Sequence, residues 1–116
     1  MDETWKPTNE LKLKGLLVND PEGKLPEIQF TPNGHRYIKA RLNVPYTSKK
    51  NGQTEQIDNI FEVTAWGAQA DIIAGAKQGE KLVVDGYIRN SVYMSKNTKK
   101  PATRSENIAK TVWKLA

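Results

Sequence analysis

"FTPNGHRYIKARLNV", residues 30–44, decides the fold. Pro32 restrains its own φ, and Asn33-Gly34 tolerates the positive φ of a tight turn, so the chain doubles back here. Behind the turn, apolar and polar residues alternate. Ile38, Ala40, Leu42 and Val44 point one way; Tyr37, Lys39, Arg41 and Asn43 point the other. That is a strand with one face for a core, expected over Arg36–Tyr46 and preceded by a short strand at Glu27–Phe30. The other face is either merely solvated or built to hold something.

Outward from this hairpin, the same period recurs. Glu10–Val18 places Leu11, Leu13 and Leu17 on one face, with Gly15 where a strand can bend. Ile57–Trp66 sets Phe61, Val63 and Ala65 against Ile60, Glu62, Thr64 and Trp66. Lys81–Ser91 directs Leu82, Val84 and Ile88 inward, and Glu106–Leu115 closes the chain. Gly67–Ala76 is the one good helix candidate, with Ile72, Ile73 and Ala76 as its apolar patch. Asn19–Pro26 and Thr47–Gln56 read as loops, and Tyr93–Arg104 as a basic, turn-rich segment. The expectation is an all-β chain: a five-stranded barrel with one short helix between strands three and four, which is the OB-fold order. Residues 1–9 read as a flexible arm and 10–116 as a single domain.

Of the 116 residues 37% are hydrophobic, enough to fold, and the net charge is +5. The charge is uneven: from Gly86 onward seven Lys/Arg face one acid, Glu106, while the first 85 residues are close to neutral. A basic sector of this kind fits either a polyanion partner or a solvated surface. There are no cysteines, so disulfides and thiolate metal sites are excluded. No secretory signal opens the chain and no apolar run is long enough to cross a membrane, so a cytoplasmic protein is expected. His35 is the single histidine, and neither a P-loop nor a paired set of acids is present. No enzyme activity, cofactor, metal or small-molecule substrate is expected.

Together with this pattern, "DPE" (20–22), "PEIQFTPNG" (26–34) and "FEVTAWGAQADIIAGAKQGEKLVVDGYIRN" (61–90) follow in order and at near-family spacing. In these pieces the chain resembles the bacterial single-stranded DNA-binding proteins from about Leu11 to Tyr93. The resemblance implies an OB-fold that binds single strands largely without sequence specificity, in replication, repair or recombination. It implies that Trp66, before the glycine of "AWG", stacks on bases, and that Tyr93 stands where the family has a tryptophan. Ile60 takes the place of another family tryptophan, Tyr46 lies near a third, and Glu62 replaces an often basic residue. The resemblance also implies a homo-oligomer, a dimer or tetramer, paired through the first strand. The family's acidic tail has no counterpart before Ala116, so the chain is either a truncated one or a short paralogue; primosomal relatives on this fold lack the tail too.

The residues argue in the same direction. A cationic groove with π-faces suits single strands, because phosphates recur and every base stacks. Tyr37, Lys39 and Arg41 share a face that would continue into Thr64 and Trp66. Lys49, Lys50, Arg89, Lys96, Lys99, Lys100 and Arg104 complete the expected nucleic-acid site. Tyr93 alternatively covers a barrel mouth, Trp113 is core or subunit contact, and Trp5 docks on a neighbour or covers a barrel end. The competing function is an OB module for protein contact in a primosome-like assembly, with weak nucleic-acid binding.

Overall fold

The computed structural model describes residues 5–115. The chain is mostly β with one short helix. In chain order the elements are β1 (Leu11–Val18), β2 (Gln29–Phe30), β3 (Arg36–Asn43), β4 (Tyr46–Lys50), β5 (Gln53–Ile57), β6 (Ile60–Trp66), α1 (Ala68–Ala74), β7 (Lys81–Met94) and β8 (Pro101–Lys114). Eight strands replace the expected five. Two of the added strands, β4 and β5, come mainly from the segment read as a loop, Thr47–Gln56, and the third, β2, is the short strand expected at Glu27–Phe30; the order of the long strands is as expected.

Pairing runs β1-β7-β8-β6-β3 and returns from β3 to β1. β1 serves both neighbours by bending. Its residues Leu11 to Leu16 pair with β7, and Leu16 to Val18 pair with β3. Gly15 sits at the bend, and a Cβ there would lie 2.5 Å from the Asn43 carbonyl oxygen. Only glycine lets the two backbones come that close. Inside lie Leu13, Leu17, Ile38, Ala40, Leu42, Val63, Ala65, Leu82, Val84 and Val112, as the alternation requires. Helix α1 adds Ala70 and Ile73 to this core, with Ile72 half-buried against it.

The expected long strand to Tyr46 stops at Asn43. Pro45 cannot donate to a ladder, and the chain turns away there. Thr47–Gln56, expected as a polar loop, is the greater part of a two-stranded sheet of its own, β4 with β5. Asn51 (φ 53°) and Gly52 (φ 77°) both take positive φ, the geometry of a type I′ hairpin turn. At its base this hairpin is held by the Val44 amide donating to the Asn59 carbonyl (2.8 Å) and the Asn43 side chain donating to Asp58 (3.0 Å).

The segment expected as turn-rich, Tyr93–Arg104, is half turn and half strand. β7 and β8 pair without interruption out to Met94 and Pro101. Only Ser95–Lys100 turns, with Lys99 at φ 56°. A bulge at Asp85/Gly86 leaves Lys110 of β8 without a partner. Past the next two pairs, where Ala109 and Ile108 are still buried, the hairpin leaves the core, so Ile88, expected inward, is exposed. Trp113 is not core either: it faces outward across from Val83, while Val112 is buried. The two projecting hairpins raise the radius of gyration to 17.1 Å, above the roughly 13 Å of a compact chain of this length.

Of the expected arm, residues 1–4 lie outside the described residues. Residues 5–10 hold no strand or helix. Trp5 is exposed. The Asn9 side chain bonds both backbone groups of Ile88, donating to its carbonyl (2.5 Å) and accepting from its amide (3.0 Å).

Candidate nucleic-acid interface

The outer face of β3 and β6 is the place to look, because register there is set by the core on the other side. Across the two strands Tyr37 stands opposite Trp66, Lys39 opposite Thr64, Arg41 opposite Glu62 and Asn43 opposite Ile60. Tyr37 and Trp66 form a tilted aromatic pair with centroids 4.9 Å apart. Trp66 is 37% exposed. A ring partly open in this way, with an aromatic neighbour beside it, has surface left for a stacking base. The Tyr37 hydroxyl donates to Gln29 Oε1 (2.8 Å), which holds one ring to β2.

Behind the rings, Arg36 makes a bidentate contact with Asp71 of α1, Nε to Oδ1 at 3.1 Å and Nη2 to Oδ2 at 2.9 Å. The hydrogen bond and charge of Asp71 raise the Arg36 guanidinium above its ordinary range. A raised base keeps its charge at every pH below that range, so salt, not alkali, loosens its side of this exposed pair. Gly67, at φ 59°, lets the chain turn from Trp66 into α1, and its amide donates to the Arg36 carbonyl (3.0 Å). The site is thus braced by its immediate neighbours.

Two clefts flank Lys39. One, of about 500 Å³, is lined by Lys39, Ile60, Phe61, Glu62, Thr64 and Arg104–Asn107. The other, of about 330 Å³, is lined by Lys39, Arg41, Lys24, Gln29 and the 18–27 segment around them. Lys39 is the shared wall. Arg41 is half-buried, and its Nε is enclosed with no hydrogen-bond partner among the described residues. Thr64 faces the groove yet is buried, because β8 runs beside it (Thr64 with Ile108) and Lys39 stands opposite.

Arg104 reaches this face from the β7–β8 hairpin. Its guanidinium lies 5.0 Å from the Tyr93 ring centroid, so Tyr93 and the groove share a cation. Arg89 is engaged by Glu106 at 3.5 Å. Lys96, Lys99 and Lys100 are exposed at the hairpin tip, and among the described residues no acid lies within 4.0 Å of them. Tyr46, Lys49 and Lys50 sit apart, on β4. There Lys49 and Lys50 are consecutive strand residues and point to opposite sides, a consequence of pairing that a loop assignment concealed.

The structure therefore gathers Tyr37, Trp66, Lys39, Arg41 and Arg104 with Tyr93, and leaves the other cations on two projecting hairpins. Lys24, Gln29 and Arg36 had not been singled out. Lys24 is placed by Asp20, whose Oδ1 accepts from the amides of Glu22 and Lys24, both at 2.9 Å. The local signal for that turn is the Asp-Pro-Glu-Gly run, residues 20–23.

Comparison with known proteins agrees with this geometry. A solved structure of a deletion mutant of the single-stranded DNA-binding protein from Thermus aquaticus superposes with TM-score 0.74 at 20% identity, covering 94% of this chain and 51% of that one. The Plasmodium falciparum SSB in complex with single-stranded DNA superposes with TM-score 0.71 at 15% identity, over 100% of both chains. At such identities the likeness is one of fold. In sequence, the single-stranded DNA-binding protein of Thermus aquaticus is 29% identical over 87 residues, which is 75% of this chain and 30% of that protein's length. The profile of the single-strand binding protein family matches residues 8–115. With nearly the whole described chain inside that match, the protein belongs to the single-strand binding protein family.

Proposed function

We propose that the chain binds single-stranded DNA, largely without regard to sequence, on the outer face of β3 and β6. The ring of five paired strands acts as an OB-fold barrel, residues 10–116 as one domain and residues 1–9 as an arm. Bases stack on Tyr37–Trp66, and Tyr93 offers a second platform. Lys39, Arg41, Arg104 and Lys24 hold phosphates beside them. Lys96, Lys99 and Lys100 extend the positive field from one hairpin, Tyr46 with Lys49 or Lys50 from the other. Arg89 acts only after release from Glu106. The role is protective and non-enzymatic, in the cytoplasm, during replication, repair or recombination. The observation that carries the reading is the aromatic pair, 4.9 Å between centroids and open to solvent, in register with a row of cations. The chain acts as a dimer or tetramer; in support, among the described residues the edge of β1 away from β7 is unpaired from Leu11 to Gly15. Among the described residues no helix is long and apolar enough to cross a membrane.

The test follows Trp emission while dT and rU oligomers are titrated at two salt concentrations, for wild type and Trp66→Ala. Quenching, tighter binding of dT than rU, steep salt dependence and loss of affinity in the variant are expected. Unchanged affinity in Trp66→Ala rejects the site. One observation favours the second reading, a protein-contact module: Val92 and Met94 are 73% and 65% exposed on one side of the β7–β8 hairpin, together with Ile88. Failure to bind either strand would select it.

A further inference from the structure

Resting on the single-strand reading above, we infer that Glu62 biases this groove toward bases that donate hydrogen bonds, guanine most of all. The carboxylate stands in the middle of the cation row, which is an odd place for an acid in a phosphate-binding face. In strand register its direct neighbour is Arg41, and opposite charges so placed ordinarily pair. They do not pair here: among the described residues no cation lies within 4.0 Å of Glu62. The two side chains lean into different clefts, Arg41 toward Lys24 and Glu62 toward Arg104. The acid is left to the groove.

Its surroundings suit a base edge. Ile60, two residues earlier on the same face of β6, is 39% exposed and lines the same cleft. A base resting on Ile60 has its edge one strand repeat away, roughly 7 Å, at Glu62. The Asn107 side chain donates to the Glu62 carbonyl at 2.9 Å and holds that point of β6 against β8. Lys39 and Arg104 line the same cleft and are placed for the neighbouring phosphates. At about 500 Å³ the space lies in the range of small-molecule sites.

A carboxylate at neutral pH only accepts. On the exposed edge of a single-stranded base it therefore selects donors. Guanine presents two adjacent donors, N1–H and the 2-amino group, which match both oxygens at once. Cytosine and adenine present one amino group beside an acceptor. Thymine presents one N–H between two carbonyls that repel the acid. The expected order is guanine first, cytosine and adenine next, thymine last. A solvent-exposed contact of this kind lies at the low end of bidentate base discrimination, about fivefold.

The experiment uses the full chain and fluorescence anisotropy of labelled oligomers: all-dT, and the same length with one central dG or one central dC. In wild type the dG strand binds about fivefold more tightly than all-dT, with the dC strand between. In Glu62→Gln the dG:dT ratio falls toward one and all-dT binds more tightly, since a repelling charge is gone. In Lys39→Ala both strands weaken alike and the ratio holds. Equal affinities in wild type, or a ratio that survives in Glu62→Gln, overturn the inference while leaving single-strand binding intact. Absence of binding to every oligomer overturns the single-strand reading beneath it.

Discussion

The strands of the body and the strands of the two hairpins obey one geometry with different consequences. In β3 and β6 every second side chain is buried against a shared core: Ile38, Ala40 and Leu42 on one, Val63 and Ala65 on the other. In β4–β5, and in β7–β8 beyond the Tyr87–Ile108 pair, the alternation continues but the core cluster contributes no residue. Val92 and Met94 stand 73% and 65% exposed where the pattern would bury them. Register in the body is therefore pinned by burial, and register in the hairpins by turns and backbone bonds alone. A site that needs rings and charges at fixed spacing belongs on the body. The hairpins are suited to adding charge around it.

The largest expected effect tests that contrast directly. Leu17→Ala or Ile38→Ala, both at 0% exposure, should cost about 2–5 kcal/mol in urea unfolding. Val92→Ala should stay within about 0.5 kcal/mol of wild type. Comparable losses would mean that the distal hairpin packs on something in solution. Next in size, Trp66→Ala should lower dT affinity about tenfold or more, with stability little changed, as measured by anisotropy alongside a thermal melt. Tyr93→Ala should lose less, because its ring is already partnered by Arg104.

Smaller still are the charge changes. Lys39→Ala and Arg104→Ala should each reduce the slope of log K against log salt by about 0.7. Lys99→Ala, out at the tip of the β7–β8 hairpin, should reduce it by less. The finest distinction concerns β4. Lys49→Ala and Lys50→Ala should differ from each other, one close to wild type, because the two ammonium groups leave opposite sides of the hairpin. Equal changes in salt slope would show that the strand wraps both sides.

Much of this was legible in the chain itself. The turn at Pro32-Asn33-Gly34, the inward set of β3 and β6, and the outward row Tyr37, Lys39, Arg41 all follow from local chemistry and a period of two. The resemblance carried by the "AWG" and "TPNG" segments pointed to Trp66. What misled was polarity. Thr47–Gln56 looks like a loop because it holds no apolar stripe, yet it is largely strand, and Tyr93–Arg104 is half strand around its turn. Backbone pairing needs no apolar face when a type I′ turn aligns the partners.

By itself the sequence determined which residues of β3 and β6 face in, the turn at Pro32-Asn33-Gly34, and the excess of positive charge in its last third. Those are properties of neighbours along the chain. Only the tertiary structure decided that Lys24 stands beside Lys39, that Arg104 crosses to the β3–β6 face, that Thr64 is covered, and that Arg41 and Glu62 part into separate clefts. Each of these depends on which distant strand lies alongside, and the closing of the sheet through β1, bent at Gly15, is what brings those strands together.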